Sequence, residues 1–314
     1  MTRSNRRVRY HQHGGPEVLR LEHCEAPEPG VGELLVRTQA IGVTLPAVRK
    51  VREGDGSALP GILGGEVAGQ VAALGPGVSG FAVGDRITGL SFSDAYADLA
   101  VVPAAMAGRI PDGISPVQAV ALVRSGHVAL AALAAAGPLT GASVLVTAAA
   151  SGVGQLTVQL ARILGAERVV AAVSSPAKAG FLHAHGADEV VLYADGSWGE
   201  PVDVVLEGVG GELLPRALAA LAPGGRMVFF GSGGGTIPAF ELLAGAKTVT
   251  GLSMARFSTT RRELYERHRE QLWELALSGR LRPAVHAEIP LADAARAHAI
   301  IEARSNLGKV VLRP

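Results

Sequence analysis

Cysteine is almost absent: Cys24 is the only one in 314 residues. That excludes an internal disulfide and any zinc site built from several thiolates, and it suits a reducing, cytoplasmic setting. A dominant charge is also missing. Lys+Arg total 29 against Asp+Glu 28, a formal net charge of +1, and no segment gathers enough basic side chains for a polynucleotide footprint. Long apolar runs are absent too. The longest, 128–136, is mostly alanine and stops at Gly137-Pro138, short of the ~20 residues a membrane span needs. Arg3, Arg6, Arg7 and Arg9 open the chain like a secretory signal, but HQHGGPE follows where an apolar segment is required. The expectation is a soluble protein whose partner is a small molecule rather than nucleic acid or a membrane.

Glycine is plentiful, at 41 residues, in a composition that is 48% hydrophobic, which describes a globular chain with many tight turns. A length of 314 residues favours two domains. Up to about 111, apolar runs at 34–37, 66–74, 85–89 and 97–102 alternate with Gly and Pro, including Gly75-Pro76-Gly77 and Gly80. This spacing predicts a compact antiparallel barrel. A helix is expected over 115–136, opened by Ser115-Pro116. Strands near 143–147, 168–173, 188–192, 202–206, 226–230 and 247–252 then alternate with helices near 152–164, 176–185 and 211–221. Such alternation predicts an α/β fold with a Rossmann-type, doubly wound parallel sheet. A charged helix at 259–278, a short helix and a last strand at 309–312 complete the chain. The expected domains are 1–112 with 281–314, β-rich and discontinuous, and 113–280, which binds the dinucleotide.

The segment 143–178, SVLVTAAASGVGQLTVQLARILGAERVVAAVSSPAK, carries the most information. An apolar strand, a turn of small residues, an amphipathic helix and a second apolar strand make a phosphate-cradling βαβ unit. Val153, Leu156, Leu160, Ile163 and Leu164 recur at helical spacing, so the helix packs on the sheet with its N-terminus at the carboxyl end of the first strand. Ala149, Ala150, Ser151, Gly152, Val153 and Gly154 leave room there for a pyrophosphate on free N–H groups. The pattern Ala149-x-Ser151-x-x-Gly154 departs from G-x-G-x-x-G and by itself is equally a tight helix–strand turn.

An NAD site would end its second strand in Asp or Glu, which accepts from the ribose 2′-OH. Here Ser174-Ser175-Pro176-Ala177-Lys178 follows instead, with hydroxyls and an ammonium suited to a 2′-phosphate. With Ser175 as cap and Pro176 first, Lys178 falls in the first turn, where a cation opposes the helix dipole unless an anion binds; it is one of four lysines in the chain. The cofactor reading is NADPH, against that of a solvated surface lysine. Tyr193, after the third strand, faces the adenosine end or caps the sheet edge. The turns Glu207-Gly208-Val209-Gly210 and Phe230-Gly231-Ser232-Gly233 fall on the same edge, so Gly208, Val209, Gly231 and Ser232 are expected beside the nicotinamide half.

The motifs Gly14-Gly15-Pro16-Glu17-Val18-Leu19, Leu59-Pro60-Gly61-Ile62-Leu63-Gly64-Gly65-Glu66-Val67-Ala68-Gly69 and Gly75-Pro76-Gly77-Val78-Ser79-Gly80-Phe81-Ala82-Val83-Gly84-Asp85-Arg86 add a second signal. With Ala95-Tyr96-Ala97, the small-residue turn, Gly186-Ala187-Asp188 and Pro223-Gly224-Gly225, the chain resembles the medium-chain dehydrogenase/reductase superfamily. Within it, the chain resembles the zinc-lacking NADPH quinone oxidoreductase branch that includes ζ-crystallin. The resemblance implies a GroES-like β-rich domain, a homodimer joined through the strand at 247–252, and Ser174, Lys178 and Tyr193 around the 2′-phosphate. It adds Thr44, Val128, Leu252 and Lys309 to the expected cofactor contacts. Zinc-bearing relatives have Gly-His-Glu where this chain has Gly64-Gly65-Glu66, so no metal is expected. Two segments depart from the branch: Gly42-Val43-Thr44-Leu45-Pro46-Ala47 replaces Gly-Val-Asn-x-x-Asp, and Gly126-His127-Val128 lacks the usual threonine.

Hydride transfer to a quinone or α,β-unsaturated carbonyl needs positioning above all, because solvent can supply the proton. If a side chain takes part, His127 is the candidate proton donor and Arg49 the candidate stabiliser of a developing anion, each set against a plain packing or surface role. Thr44, Ala47, Ser91, Ser93 and Tyr96 are the expected substrate-pocket residues, the last three equally read as turn or core residues. His183 and His185, two apart on a helix, do not share a face and make no metal pair. The altered substrate half also suits a tailoring reductase of one biosynthetic intermediate. The non-enzymatic alternative is an NADPH-bound sensor or RNA-binding protein, which the near-zero net charge disfavours.

Overall fold

The computed structural model describes residues 4–314, so Arg3 lies outside the described residues. Chain contacts divide the protein into two compact units, Met1–Arg124 with Val285–Pro314, and Ser125–Ala284. In the first unit β1 (Ser4–Arg9) pairs with β2 (Arg20–Glu25), followed by β3 (Glu33–Val43), α1 (Leu45–Glu53), β4 (Gly65–Leu74), β5 (Arg86–Ser91), β6 (Leu99–Pro103) and β7 (Ala107–Arg109). Helix α2 (Pro116–Ala136) leads into the second unit. There β8 (Ser143–Val146), α3 (Gly154–Ile163), β9 (Arg168–Val173), α4 (Ala179–Ala184), β10 (Glu189–Leu192), β11 (Val202–Glu207), α5 (Leu213–Ala219), β12 (Leu221–Phe229), α6 (Ala239–Ala244) and β13 (Thr248–Gly251) precede α7 (Met254–Thr260) and α8 (Arg262–Leu277). The chain returns to the first unit through β14 (Val285–Pro290), α9 (Ala294–Glu302) and β15 (Lys309–Arg313).

The second unit is a six-stranded parallel sheet in the order β10-β9-β8-β11-β12-β13. Its central strands are buried on both faces, which is why Val169 to Val173 reads as one apolar run without alternation. Residues Leu145, Val170, Val205 and Met227 from four neighbouring strands share a core with Leu214, Ala217 and Leu218 of α5. The chain order reverses beside β8, so βα turns on either side of β8 open at one sheet edge, where ligands lie in such folds.

The first unit holds a seven-stranded sheet, β14-β15-β3-β4-β5-β7, with β6 paired to β3. Strand β15 lies antiparallel to β3, with Val310 opposite Val43. Its core contains Leu34, Ile41, Val67, Ile87 and Val310, side chains from separate strands of this sheet. Helix α1 was not anticipated from the sequence. Thr44 caps it, its hydroxyl accepting from the Ala47 N–H at 3.5 Å, Pro46 lies in its first turn, and Gly54 closes it at φ 79°.

The unit boundaries fall at 124/125 and 284/285 rather than 112/113 and 280/281. Side-chain contacts give the reason. Arg124 of α2 reaches Glu66 at 3.1 Å within the first unit, while Arg282 exchanges two hydrogen bonds, of 2.9 and 3.0 Å, with the Gln159 amide of the second. The charged helix expected over 259–278 is two helices, because Arg261 leaves helical geometry at φ −127°, ψ 44°. Helix α2 meets the expectation of a helix over 115–136 and contains the apolar run 128–136. At 21 residues with a mean hydropathy of 1.6, it is long and apolar enough to cross a membrane, but 78% of that window is buried inside the protein, as in a core helix.

Tyr96, an expected pocket residue, is a core residue at 1% exposure. Its hydroxyl shares a hydrogen bond with Nε2 of His298, 3.2 Å away on α9, and the rings meet edge to face. Burial pushes the Tyr96 phenol up and holds His298 down at about 4, against an ordinary 6.5. The unfolded chain therefore takes up this proton below pH ~6.5 while the folded chain resists until about 4. The contribution is complete above pH ~6.5 and is lost as the pH falls toward 4, a change of up to ~3 kcal/mol. Urea midpoints measured from pH 7 to 4.5 should fall in the wild type and flatten in His298→Gln; parallel curves would refute the assignment.

Candidate functional site

The turn after β8 is shaped by backbone contact. A Cβ on Gly154 would lie 2.2 Å from the Ala148 carbonyl oxygen, so only glycine lets α3 seat this close. Ala148 is left-handed at φ 49°. Its N–H donates to the Tyr193 hydroxyl oxygen at 2.7 Å, and the Ser151 hydroxyl accepts from the Gly154 N–H at 3.0 Å. The N–H groups of Ala150, Gly152 and Val153 have no protein acceptor among the described residues. Three unpaired donors at a helix N-terminus with no side chain above them fit a dinucleotide pyrophosphate.

At the end of β9, Ser174 is exposed, and the Ser175 hydroxyl accepts from the Ala177 N–H at 3.3 Å. Pro176–Lys178 forms a single 3₁₀ turn running directly into α4, which places half-buried Lys178 at that helix's positive end. No carboxylate ends β9, so the residues fit an NADP-type 2′-phosphate better than a bare ribose.

Beyond β11 and β12 the two glycine turns interlock. Gly231 has no room for a Cβ, which would meet Gly208 and Val209 backbone at 2.7 Å, and the Gly233 N–H donates to the Val209 carbonyl at 3.0 Å. Glu207, fully buried, organises this turn. Its carboxylate accepts from the N–H groups of Val209 at 3.1 Å and Gly210 at 2.8 Å and from the Thr147 hydroxyl at 3.1 Å. The Gly208 N–H donates to Thr147 Oγ1 at 2.9 Å. Burial raises Glu207 above the ordinary carboxylate range, opposed by these bonds. Sequence reasoning passed over Glu207 and Thr147; a carboxylate ending an apolar strand just before Gly-Val-Gly was the available signal. Ser232 is exposed on this edge, and Leu252 follows β13, its N–H on the Phe229 carbonyl at 2.9 Å.

The catalytic and pocket candidates are less uniform. His127 is 1% exposed, its ring stacked on Tyr265 at 3.9 Å. Its Nε2 lies 3.0 Å from the Tyr265 carbonyl, so that nitrogen carries the proton and donates it there. Val128 is half-buried beside it on α2. In the first unit Arg49 is half-buried on α1, Ala47 is buried, and the Thr44 hydroxyl is occupied as a cap. Ser93 is exposed, whereas Ser91 is buried and its hydroxyl has no hydrogen-bond partner among the described residues. Lys309 is 5% exposed and ion-paired with equally enclosed Glu66. Burial draws its ammonium down to about 7. His183 and His185 each turn a ring nitrogen toward a backbone carbonyl, of Ala187 and Phe181.

Residues 30–112 match the family model of the alcohol dehydrogenase GroES-like domain, and residues 185–312 that of the zinc-binding dehydrogenases. A quinone oxidoreductase of Pseudomonas aeruginosa is 33% identical over 98% of this chain and 99% of its own length. The chain belongs to the quinone oxidoreductase branch of the medium-chain dehydrogenase/reductase superfamily. The solved Escherichia coli quinone oxidoreductase, complexed with NADPH, is 32% identical over 98% of this chain and 100% of its own, with a TM-score of 0.90. A mycobacterial protein complexed with NADPH reaches 35% identity over 99% of this chain and 100% of its own, also with a TM-score of 0.90. A segment of the polyketide synthase GfsB of Streptomyces halstedii is 43% identical over 55% of this chain, though only 3% of the synthase is covered. No group of three or more His, Cys, Asp or Glu side chains able to hold a metal occurs among the described residues.

The Glu207 network yields a direct test. In Glu207→Gln the amide group sets a donor against a backbone N–H in a fully buried position, a cost of ~1–3 kcal/mol. Chemical denaturation should register that loss, and amide exchange at Val209 and Gly210 should accelerate. Unchanged exchange at both would show that the carboxylate does not hold the turn.

Proposed function

We propose that this chain is an NADPH-dependent oxidoreductase that delivers hydride to a quinone or an α,β-unsaturated carbonyl without a metal. The observation that carries the cofactor assignment is the end of β9, where Ser174, Ser175 and Lys178 stand in place of a carboxylate; the NADPH complexes of related structures support it. The nicotinamide, when bound, supplies the hydride. Ala150, Gly152 and Val153 would take the pyrophosphate on their N–H groups. The turns of Gly208, Val209, Gly231 and Ser232, pinned by Glu207, would fix the ring by backbone contact.

The proton comes from solvent. His127 keeps its Nε2 proton on a carbonyl inside the helical layer, which favours packing over proton delivery. Arg49 is left as the candidate for stabilising an enolate or hydroquinone anion. Zinc independence is supported by the residues themselves, Gly64-Gly65-Glu66 and a lone Cys24. The polyketide synthase match supports a second reading, a reductase of one biosynthetic α,β-unsaturated intermediate.

Purified protein mixed with NADPH and a panel of quinones, enones and α,β-unsaturated thioesters should consume NADPH, read as loss of reduced-nicotinamide absorbance. A preference for the thioesters would select the biosynthetic reading; no consumption with any acceptor would overturn both. Lys178→Ala should weaken NADPH roughly 10- to 100-fold and NADH less than about twofold, as expected for a charge-assisted bond to the 2′-phosphate.

A homodimer accompanies this reading. Strand β13 ends the sheet of the second unit, and α6 exposes Phe240 at 75% and Leu243 at 77%. Unpaired edge groups with nearby apolar side chains suit a second copy. Sedimentation should give a dimer that Leu243→Glu shifts toward monomer, and a monomeric wild type would remove the proposal.

A further inference from the structure

A cavity of about 480 Å³ opens in the first unit and shares no residue with the cofactor, catalytic or substrate-pocket candidates. Thr38, Gln39, Gln70, Arg86 and Arg313, drawn from β3, β4, β5 and β15, line it, and Pro116 and Pro314 complete the wall. No acidic, aromatic or long aliphatic side chain lines it among the described residues. Two guanidinium groups therefore border one space whose lining has no carboxylate to neutralise them.

Local structure fixes this wall. Gln39 is the extra residue of a β-bulge: Thr38 lies opposite Gly69 and Ala40 opposite Ala68, so Gln39 has no partner on β4. A bulge re-aims a side chain that a regular ladder would send elsewhere. Beside it Thr38 is 4% exposed, and its hydroxyl donates to the Ala97 carbonyl. Arg86 donates to the Ile114 carbonyl, with the Asp112 carboxylate 3.8 Å off. Arg313 lies 3.6 Å from Glu288 and makes no hydrogen bond among the described residues. Both separations exceed a hydrogen bond, and both acids are half exposed or more, so water screens these pairs. The side-chain amides of Gln39 and Gln70 likewise have no hydrogen-bond partner among the described residues. Helix α2 adds no donor here, because Pro116 lacks an N–H and Ser115 and Gln118 cap each other at 2.9 and 3.2 Å. The unspent capacity of the cavity lies in two cations and two amides.

We propose that this cavity binds a phosphomonoester of a small polyhydroxylated molecule, with Arg86 and Arg313 on the phosphate and Gln39 and Gln70 on the hydroxyl groups. Guanidinium forks match phosphate oxygens in pairs, and a primary amide donates and accepts at once, as hydroxyl groups require. The volume exceeds what inorganic phosphate fills and falls within the range of small-ligand pockets. A quinone finds no aromatic or aliphatic side chain to pack on, so this is not a second acceptor pocket. The site is independent of the NADPH reading, whose phosphate contacts belong to the second unit.

The test is titration calorimetry on the full chain with NADPH in excess, which fills the cofactor's own phosphate contacts, and on Lys178→Ala, which weakens them. Ribose 5-phosphate should bind in both with a Kd of roughly 0.1–1 mM. Inorganic phosphate should bind about fivefold or more weakly, and ribose should give no saturable heat. Arg313→Gln, a change at an exposed side chain, should weaken ribose 5-phosphate about tenfold without moving the melting temperature, and Arg86→Gln should match it in binding. Gln39→Leu should weaken ribose 5-phosphate about fivefold and leave inorganic phosphate within about twofold. No saturable binding of ribose 5-phosphate would overturn the proposal, as would full affinity in both arginine variants. Displacement of ribose 5-phosphate by NADPH would place it in the cofactor site and overturn the proposal too. Equal affinity for ribose 5-phosphate and inorganic phosphate would reduce the cavity to an adventitious ion only.

Discussion

One close approach governs the second unit: the first turn of α3 lies against the Ala148 carbonyl, with no space for even a methyl group at Gly154. Seated that low, the helix brings its unpaired N–H groups to the carboxyl edge of β8, the point from which the sheet extends both ways. Small residues at 149–152 are the consequence, since a larger side chain would fill the space those donors face. The left-handed backbone at Ala148 is the local cost of this geometry, and Tyr193 stabilises it from across the sheet edge.

Both units anchor strand ends with an enclosed carboxylate, but they neutralise it differently. Glu207 is satisfied by two backbone N–H groups and a hydroxyl, all from turns that follow parallel strands. Glu66 is satisfied by cations, Lys309 and Arg124, drawn from β15 and α2. The first arrangement stiffens a loop whose backbone must meet a ligand. The second joins the start of β4 to a returning strand distant in sequence, and Gly42 makes room for it, because a Cβ there would lie 2.3 Å from the Glu66 carboxylate. A buried acid needs its compensation fixed in place whichever form it takes.

The parallel sheet was legible because strands buried on both faces read as continuous apolar runs, and the βαβ unit because small residues and helical spacing lie within a few dozen residues. Helix α1 was not, since Thr44 and Ala47 drew attention as site residues before the cap they form was visible. Tyr96, left open between pocket and core, and Lys309, taken only from the resemblance, could not be placed for a related reason. A tyrosine in a loop and a lysine at a strand start look exposed in a sequence, and their partners, His298 and Glu66, lie about 200 or more positions away.

The sequence alone determined the alternation that builds the sheet, the glycine at 154, the missing carboxylate after β9 and the scarcity of metal ligands, because each depends on residues close together or on composition. Tertiary structure decided which polar groups are enclosed and what they hold: Tyr193 on Ala148, Glu207 on its own turn, Arg216 on the loop after β10. Those pairings depend on strand order and register, which bring distant residues within 3 Å and are set by packing the whole core, not by any local pattern.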